Sequence, residues 1–403
     1  MNILVLQETD WLRRGPHTQH HIFERLSKNP YVNVIVFDYD MDKTMKKNHL
    51  YIKEHQYERI SKAVNESNVK IIRTAHIQVP YLRRISSLIT NFFKMINLLD
   101  HFRPDIIVGF SITNGLMGIF LSKLLNIPYI FFYIDILHEL VPIKSIRNFA
   151  RIISKISFKF SNKILVHTRI QKKYLINEGV NPRKIGISPD GISLNNLIID
   201  EKKLHKLKNQ FHFNEDDFVI FFMGFLYDFA GLIEIIKYYN PKVKNEGLKL
   251  KFIILGDGGI YSSLKRFVKQ QSANWVYLMG RIPYEEITEY IKLADLCLQS
   301  FSINEITKEI TPIKIIEYMA MNKPVLSTAL PGVISQFGKS SGIIFAKNQK
   351  DMIEQIEFLI PKRNKLKERA TYGCDYVKKN FTWKKIVEDF KTIMIELIRE
   401  FYN

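Results

Sequence analysis

Cysteine is scarce in this chain. Two residues in 403, Cys297 and Cys374, cannot build a disulfide framework. Cys297 reads as a buried strand residue and Cys374 as incidental, so the chain fits a reducing compartment. Long apolar runs are missing too. A stretch such as Tyr129 to Ile134 falls far short of the ~20 residues a membrane span needs. The opening MNILVLQETD has no basic stretch ahead of its short apolar run, so it predicts a first strand and no secretory leader. No internal repeat or low-complexity tract is present. The three histidines His17, His20 and His21 lack acidic partners or a second cluster, which argues against a metal site and for surface or cleft histidines. Acidic residues are the scarcer charge: 40 against 59 basic ones give a net charge of +19, heavier in the first half. Such a field favours anionic partners such as nucleic acid, acidic lipid or a polyanionic substrate, and is equally compatible with a lysine-rich coding bias.

With 46% hydrophobic residues the chain can bury sizeable cores, and its length suggests two or three domains. Strand-like segments alternate with helical ones: Asn2–Gln7, a helix near 17–28, Val32–Phe37, Val69–Arg73, a helix near 86–102, Pro104–Gly109, a helix over 114–126, then Pro128–Ile134. That alternation predicts parallel βαβ units. Gly15-Pro16 opens a helix after the first strand, a geometry by which a phosphate can approach a helix start. The strand at 128–134 runs into Asp135, His138 and Glu139. In parallel sheets the C-terminal strand ends face the ligand crevice, which makes these residues site candidates.

Residues 143–160 predict a basic amphipathic helix. Lys144, Arg147, Arg151, Lys155 and Lys159 share one face, while Ile146, Phe149, Ile153, Ile156 and Phe160 share the other. The pattern suits an anionic membrane surface. An ordinary domain helix with solvated lysines fits it as well.

The richest stretch is Asp295 to Pro331. A short apolar strand leads into a polar loop containing Glu309. Thr311 and Pro312 then predict an N-cap and first helical position. Ile313, Ile316 and Met319 follow at helical spacing, and Lys323-Pro324 closes the helix before a strand at Val325-Leu326. An anion at that helix start would meet backbone N–H groups and Lys314, with Glu317 about one and a half turns deeper.

Glu309 and Glu317 stand eight positions apart, followed by Tyr-Met-Ala, Lys-Pro-Val and a Pro-Gly pair at 331–332. This pattern resembles the nucleotide-sugar site of the retaining glycosyltransferases of family 4 (group 1). The likeness covers nearly the whole chain and is densest from 185 to 345. It implies an α/β architecture of GT-B type: two Rossmann-like domains facing across a cleft, spanning 1–192 and 193–383, with a C-terminal helix (384–403) packing back on the first. It assigns Glu309 to the donor sugar and Glu317 to the ribose. Asp135 and His138 would approach the donor sugar or acceptor. Donor binding would fall to Gly15, Gly224, Gly256, Arg281, Thr311, Pro312, Ile313, Lys314 and Glu317. Asp190-Gly191-Ile192-Ser193 resembles the family's turn at the domain junction, Gly256-Asp257-Gly258 its G-x-G turn, and Phe381-Thr382-Trp383 its F-S-W. One departure stands out. Where the family has an Arg and a Lys clamping the diphosphate, this chain has Phe225 and Ala230, leaving Lys314 as the nearest replacement.

The expected function is metal-independent, cofactor-free transfer of a sugar from a nucleoside-diphosphate sugar to an acceptor hydroxyl. A lipid-linked or saccharide acceptor fits the basic first domain, which implies surface polysaccharide or glycolipid assembly on the cytoplasmic side, peripheral to the inner face of the plasma membrane through 143–160. No nucleic-acid partner is expected. Two other readings share parts of the pattern: a nucleotide-sugar 2-epimerase of the same architecture, and a non-enzymatic binder of membrane or nucleic acid. The binder leaves the spacing from Glu309 to Glu317 unexplained.

Overall fold

The computed structural model describes residues 1–7, 9–39, 50–79, 82–110, 112–134 and 147–403. The chain folds as two units, Met1–Asp190 with Trp383–Asn403, and Gly191–Thr382.

In the first unit, β1 (Asn2–Leu6), α1 (Thr18–Ser27) and β2 (Asn33–Phe37) form the opening βαβ step. Short strands β3 (Tyr51–Ile52), β4 (His55–Tyr57), β5 (Lys70–Arg73) and β6 (His76–Ile77) follow, then α2 (Leu82–Leu98), β7 (Ile106–Gly109) and α3 (Ile112–Leu125). β8 (Tyr129–Phe132), α4 (Arg147–Phe160), β9 (Lys163–Val166), α5 (Arg169–Asn177) and β10 (Ile185–Ile187) complete it. The sheet order is β10-β9-β8-β7-β1-β2-β5-β4, parallel except for β4, and β3 pairs with β6 separately. The order reverses between β1 and β7, the switch point of a doubly wound sheet. β3, β4 and β6 fall where the sequence predicts only connectors: two- and three-residue strands carry no period to read. The helix expected over 86–102 lies at Leu82–Leu98, because the Leu98 carbonyl takes the N–H groups of both His101 and Phe102 and ends the ladder there. One face of the sheet packs on α2, α3 and α4, through residues such as Met95, Ile119 and Phe158.

In the second unit, α6 (Glu201–Phe211) is capped by the Asp200 carboxylate, which accepts from the N–H groups of Lys202 and Lys203. There follow β11 (Phe218–Met223), α7 (Leu232–Asn245), β12 (Leu250–Leu255), α8 (Tyr261–Gln270), β13 (Val276–Gly280), α9 (Ile287–Leu293) and β14 (Leu296–Gln299). The unit ends with α10 (Lys314–Ala320), β15 (Val325–Thr328), α11 (Pro331–Phe337), β16 (Ile344–Ala346), α12 (Gln349–Leu359) and α13 (Arg363–Asn380). Its all-parallel sheet has the order β13-β12-β11-β14-β15-β16, a Rossmann order with its switch point between β11 and β14. The strands read as near-continuous apolar runs, FVIFFM in β11 and LKFIIL in β12, as a sheet covered on both faces requires.

The last helix, α14 (Trp383–Tyr402), belongs to the first unit, where Trp383, Ile386, Phe390 and Met394 join Ile22 and Phe23 of α1 on the other face of the sheet.

Candidate functional site

A cavity of about 400 Å³ opens at the C-terminal strand ends of the second unit, astride its switch point. Met223, Gly224 and Phe225 leave β11, Leu255 and Gly256 leave β12, and Arg281 and Ile282 follow β13. Phe301 follows β14, and Pro312, Ile313, Lys314 and Glu317 come from the approach to α10 and its first turn. Seven of the residues expected to bind a donor therefore line one cavity: Gly224, Gly256, Arg281, Pro312, Ile313, Lys314 and Glu317. Gly256 permits the close approach of two strand ends, since a Cβ there would lie 1.9 Å from the Gly224 carbonyl oxygen.

Lys314 dominates the electrostatics. Its side chain is buried, and its Nζ has no hydrogen-bond partner. Instead it lies 3.8 Å from the Phe222 ring centroid and 4.6 Å from that of Phe301. It also faces Gly224, where an added Cβ would stand 3.7 Å from Nζ. Burial pushes its pKa well below the usual lysine range, only partly opposed by Glu317. A buried, unpartnered amine at a cavity wall is suited to an anion that supplies the missing partner. Tyr318 fixes the register of this helix, its hydroxyl accepting the Met223 N–H at 2.9 Å.

The helix start differs from the expected one. α10 begins at Lys314, preceded by Ile313, and no side chain caps it. The Thr311 hydroxyl is buried without a partner. Pro312 lacks an N–H, while those of Ile315, Ile316 and Glu317 already donate to the Pro312 and Ile313 carbonyls. Few donors are left for an anion, so the lysine rather than the helix end carries the positive charge.

Glu317 is half-buried one turn further on, and burial raises its pKa. The Tyr284 hydroxyl donates to its Oε1 at 2.9 Å and favours the ionised form. Glu317 thus presents an oriented carboxylate to the cavity, able to accept from a diol. Sequence reasoning missed Tyr284; an aromatic directly after the Gly280-Arg281 turn was its only signal. It also missed the rings of Phe222 and Phe301 beneath Lys314.

The positions that differ from the family's clamp have distinct environments. Phe225 is 53% exposed and begins a ladder of rings through Tyr227 and Phe229, at 4.5 and 4.6 Å. Ala230 is fully buried, and its carbonyl accepts from the Ser300 hydroxyl at 2.6 Å. A lysine at 230 would put an ammonium into the core, so only 225 is open to a restored cation.

Other candidates lie elsewhere. Glu309 sits exposed in a turn whose backbone packs on Gly332, where a Cβ would come within 2.6 Å of the Ile310 carbonyl oxygen; it does not line the cavity. Gly15 belongs to the first unit. Asp135, His138 and Glu139 lie outside the described residues. His20 is not the surface or cleft histidine expected: it is fully buried, its Nε2 3.0 Å from the Trp11 carbonyl oxygen, and burial lowers its pKa to about 4. His21 stacks on Trp383 at 4.3 Å. Among the described residues no three His, Cys, Asp or Glu side chains converge as a metal site would need.

Two Rossmann-type units and a switch-point cavity with a buried lysine and an oriented carboxylate define the class: a two-domain α/β protein of the GT-B fold. The family model for glycosyl transferases group 1 matches residues 205–374, and that for glycosyltransferase family 4 matches 34–196. The chain belongs to the group 1 glycosyltransferase family. It is 25% identical over 255 residues to the uncharacterized glycosyltransferase MJ1069 of Methanocaldococcus jannaschii, covering 61% of each chain. The match thus spans about three-fifths of that relative's length. A second relative from that organism, the uncharacterized glycosyltransferase MJ1178, is 25% identical over 335 residues, 79% of this chain and 84% of its own. Among solved structures, HepE of Anabaena in complex with UDP superposes with a TM-score of 0.71 at 15% identity, covering 98% of this chain and all of that one. Sucrose-phosphate synthase of Thermosynechococcus elongatus gives 0.65 at 13% identity, over 99% of this chain and all of that one.

Proposed function

We propose that this protein is a retaining, metal-independent glycosyltransferase that moves a hexosyl or related group from a nucleoside-diphosphate sugar to an acceptor hydroxyl. The observation that carries the reading is the buried, unpartnered Lys314 Nζ in the same cavity wall as Glu317. A diphosphate beside Gly224 would give the amine its partner. A ribose would present hydroxyls to the Glu317 carboxylate held by Tyr284, and Arg281 would stand beside the base. Lys314 then meets the charge that develops on the leaving diphosphate, as preorganised electrostatic stabilisation does. HepE, solved with UDP and with UDP-glucose, makes a UDP-sugar the first donor to test. Glu309 is proposed to act on the donor sugar, and Asp135 and His138 at the sugar or acceptor. The acceptor is proposed to be lipid-linked or a saccharide, in surface polysaccharide or glycolipid assembly at the cytoplasmic face of an anionic membrane. The association is proposed to be peripheral; among the described residues no helix is long and apolar enough to cross a membrane.

The test is a thermal-shift panel of UDP-, GDP- and ADP-sugars, followed by nucleotide release on adding acceptor lipid extract. One donor class should raise the melting temperature and be consumed only with acceptor. Absence of any shift across the panel contradicts the reading, and an altered sugar formed without acceptor points to epimerisation.

A further inference from the structure

The helices covering one face of the first unit's sheet bury one side in the core and leave a second apolar row in solvent. On α2 that row is Leu82, Ile85, Ile89 and Phe93. On α4 it is Phe149, Ile152, Ile156 and Phe160, with the same spacing of three, four and four residues. α3 adds Phe120 and Leu124, and every one of these side chains is at least 37% exposed. The spacing follows one line along a helix surface, so each row is a stripe rather than a scatter. The stripes are neighbours: α3 packs against both α2 and α4, and Phe92 of α2 meets Phe120 of α3 at 5.6 Å. The expected division of the fourth helix is corrected here, since Ile153 lies in the core and Ile152 takes its place outside.

Charge distinguishes this surface from an ordinary apolar patch. α2, α3 and α4 carry eight basic residues and not one acidic residue. α14, on the opposite face of the same sheet, mixes four of each sign. Glu178, beyond α5, pairs with Arg151 and Lys155, and Glu54 pairs with Lys94. Lys123 and Lys159 are exposed beside the stripes.

We propose that the outer surface of α2, α3 and α4 docks on an anionic lipid bilayer. The aliphatic and phenyl rows enter the acyl boundary, and the flanking lysines and arginines reach the phosphates. A second copy of this chain is disfavoured as occupant, because a self-complementary contact would bring together two sets of helices that carry basic but no acidic residues. Nucleic acid would use the cations but leave rows of Leu and Ile without a partner. The inference deepens the acceptor part of the proposed function and rests on that reading for its biological use.

The test is sedimentation of the full chain with phosphatidylcholine vesicles, with and without phosphatidylglycerol. Anionic vesicles should bind about tenfold or more tightly than neutral ones, with the preference shrinking as salt rises. Ile85→Ser with Ile89→Ser, and separately Ile152→Ser with Ile156→Ser, should each weaken binding about tenfold, since these exposed side chains contribute little to folding. Lys123→Glu with Lys159→Glu should erode the anionic preference. Wild-type protein that ignores anionic vesicles, or α2 variants that bind like wild type, overturns the three-helix surface. Analytical centrifugation showing a dimer that the serine variants dissociate, without vesicle binding, also overturns it in favour of self-association. Nucleotide-sugar binding measured without vesicles separates the two readings: its failure removes the donor reading and leaves the surface standing, and the serine variants should leave it unchanged.

Discussion

At the scale of single residues, Lys314 shows how function can oppose stability. Replacing it by methionine nearly conserves volume and removes an amine buried without a partner, a group whose burial costs about 1–3 kcal/mol in proteins. Lys314→Met should therefore melt higher than the wild type while binding nucleoside diphosphate about 10–150-fold more weakly, the loss of one charge-assisted contact. Binding of the bare nucleoside should survive. The pH dependence has a definite sign. The free amine's pKa lies below the usual lysine range, and a diphosphate beside it would raise that pKa again, so binding takes up a proton. Affinity is then greatest at lower pH and falls as pH rises out of that depressed range. Protonation of Glu317, whose pKa burial raises, limits it on the acid side. Calorimetry in buffers of different ionisation enthalpy should show proton uptake in the wild type and none in Lys314→Met; equal affinity and no uptake in either would remove Lys314 from the site. The sequence marked Lys314 and Glu317 by spacing alone. It could not show that Lys314 is buried on two rings, because Phe222 lies in β11 and Phe301 follows β14, far apart in the chain.

At the scale of elements, the strand ends of the first unit depend on a cluster no local pattern reveals. Arg73 ends β5, and its guanidinium donates to Asp38 beyond β2 at 2.6 and 2.8 Å and to Asp10 beyond β1 at 2.8 Å. Asp38 also accepts the Trp11 N–H at 3.0 Å, and Asp10 those of Leu12 and Arg13 at 3.1 and 3.0 Å. The segment leading to Gly15 is thereby tied to the sheet. Burial raises the Asp38 pKa even with Arg73 beside it. Arg73→Met would remove the guanidinium that these two buried carboxylates share and should cost about 3–5 kcal/mol at neutral pH. Without the guanidinium the folded pKa of Asp38 rises further above its unfolded value, so the deficit should shrink as pH falls and that carboxyl protonates. Urea unfolding of both proteins at neutral and mildly acidic pH checks this, and a pH-independent deficit would show that packing rather than charge was lost. The parallel strands and their connecting helices were legible because period and turn residues are local. The start of α10 was misread because Thr311-Pro312 carries the residue types of a cap while its hydroxyl turns into a buried position.

At the scale of the whole molecule, the chain passes between its units twice, at Asp190–Gly191 and Thr382–Trp383, and returns to complete the first with α14. Ile192 pairs with Thr382, so the two passages leave the second unit side by side. α14 buries Trp383, Ile386, Val387, Phe390, Met394 and Leu397, and its first turn stacks on His21 of α1. Burying a side chain of this size contributes about 1.5–3 kcal/mol, and six of them match or exceed the ~5–15 kcal/mol by which a domain is stable at all. Deleting residues 383–403 should therefore unfold the first unit and leave the second intact. The donor cavity lies wholly within that second unit. The truncated chain should thus lose about half its cooperative unfolding signal yet still be stabilised by its nucleotide sugar, with transfer abolished. Isolated residues 191–382 should bind that donor with similar affinity. A truncated protein that keeps both unfolding transitions would show that α14 is dispensable to the first unit. Donor binding lost together with α14 would mean that residues outside the described cavity wall hold the nucleotide.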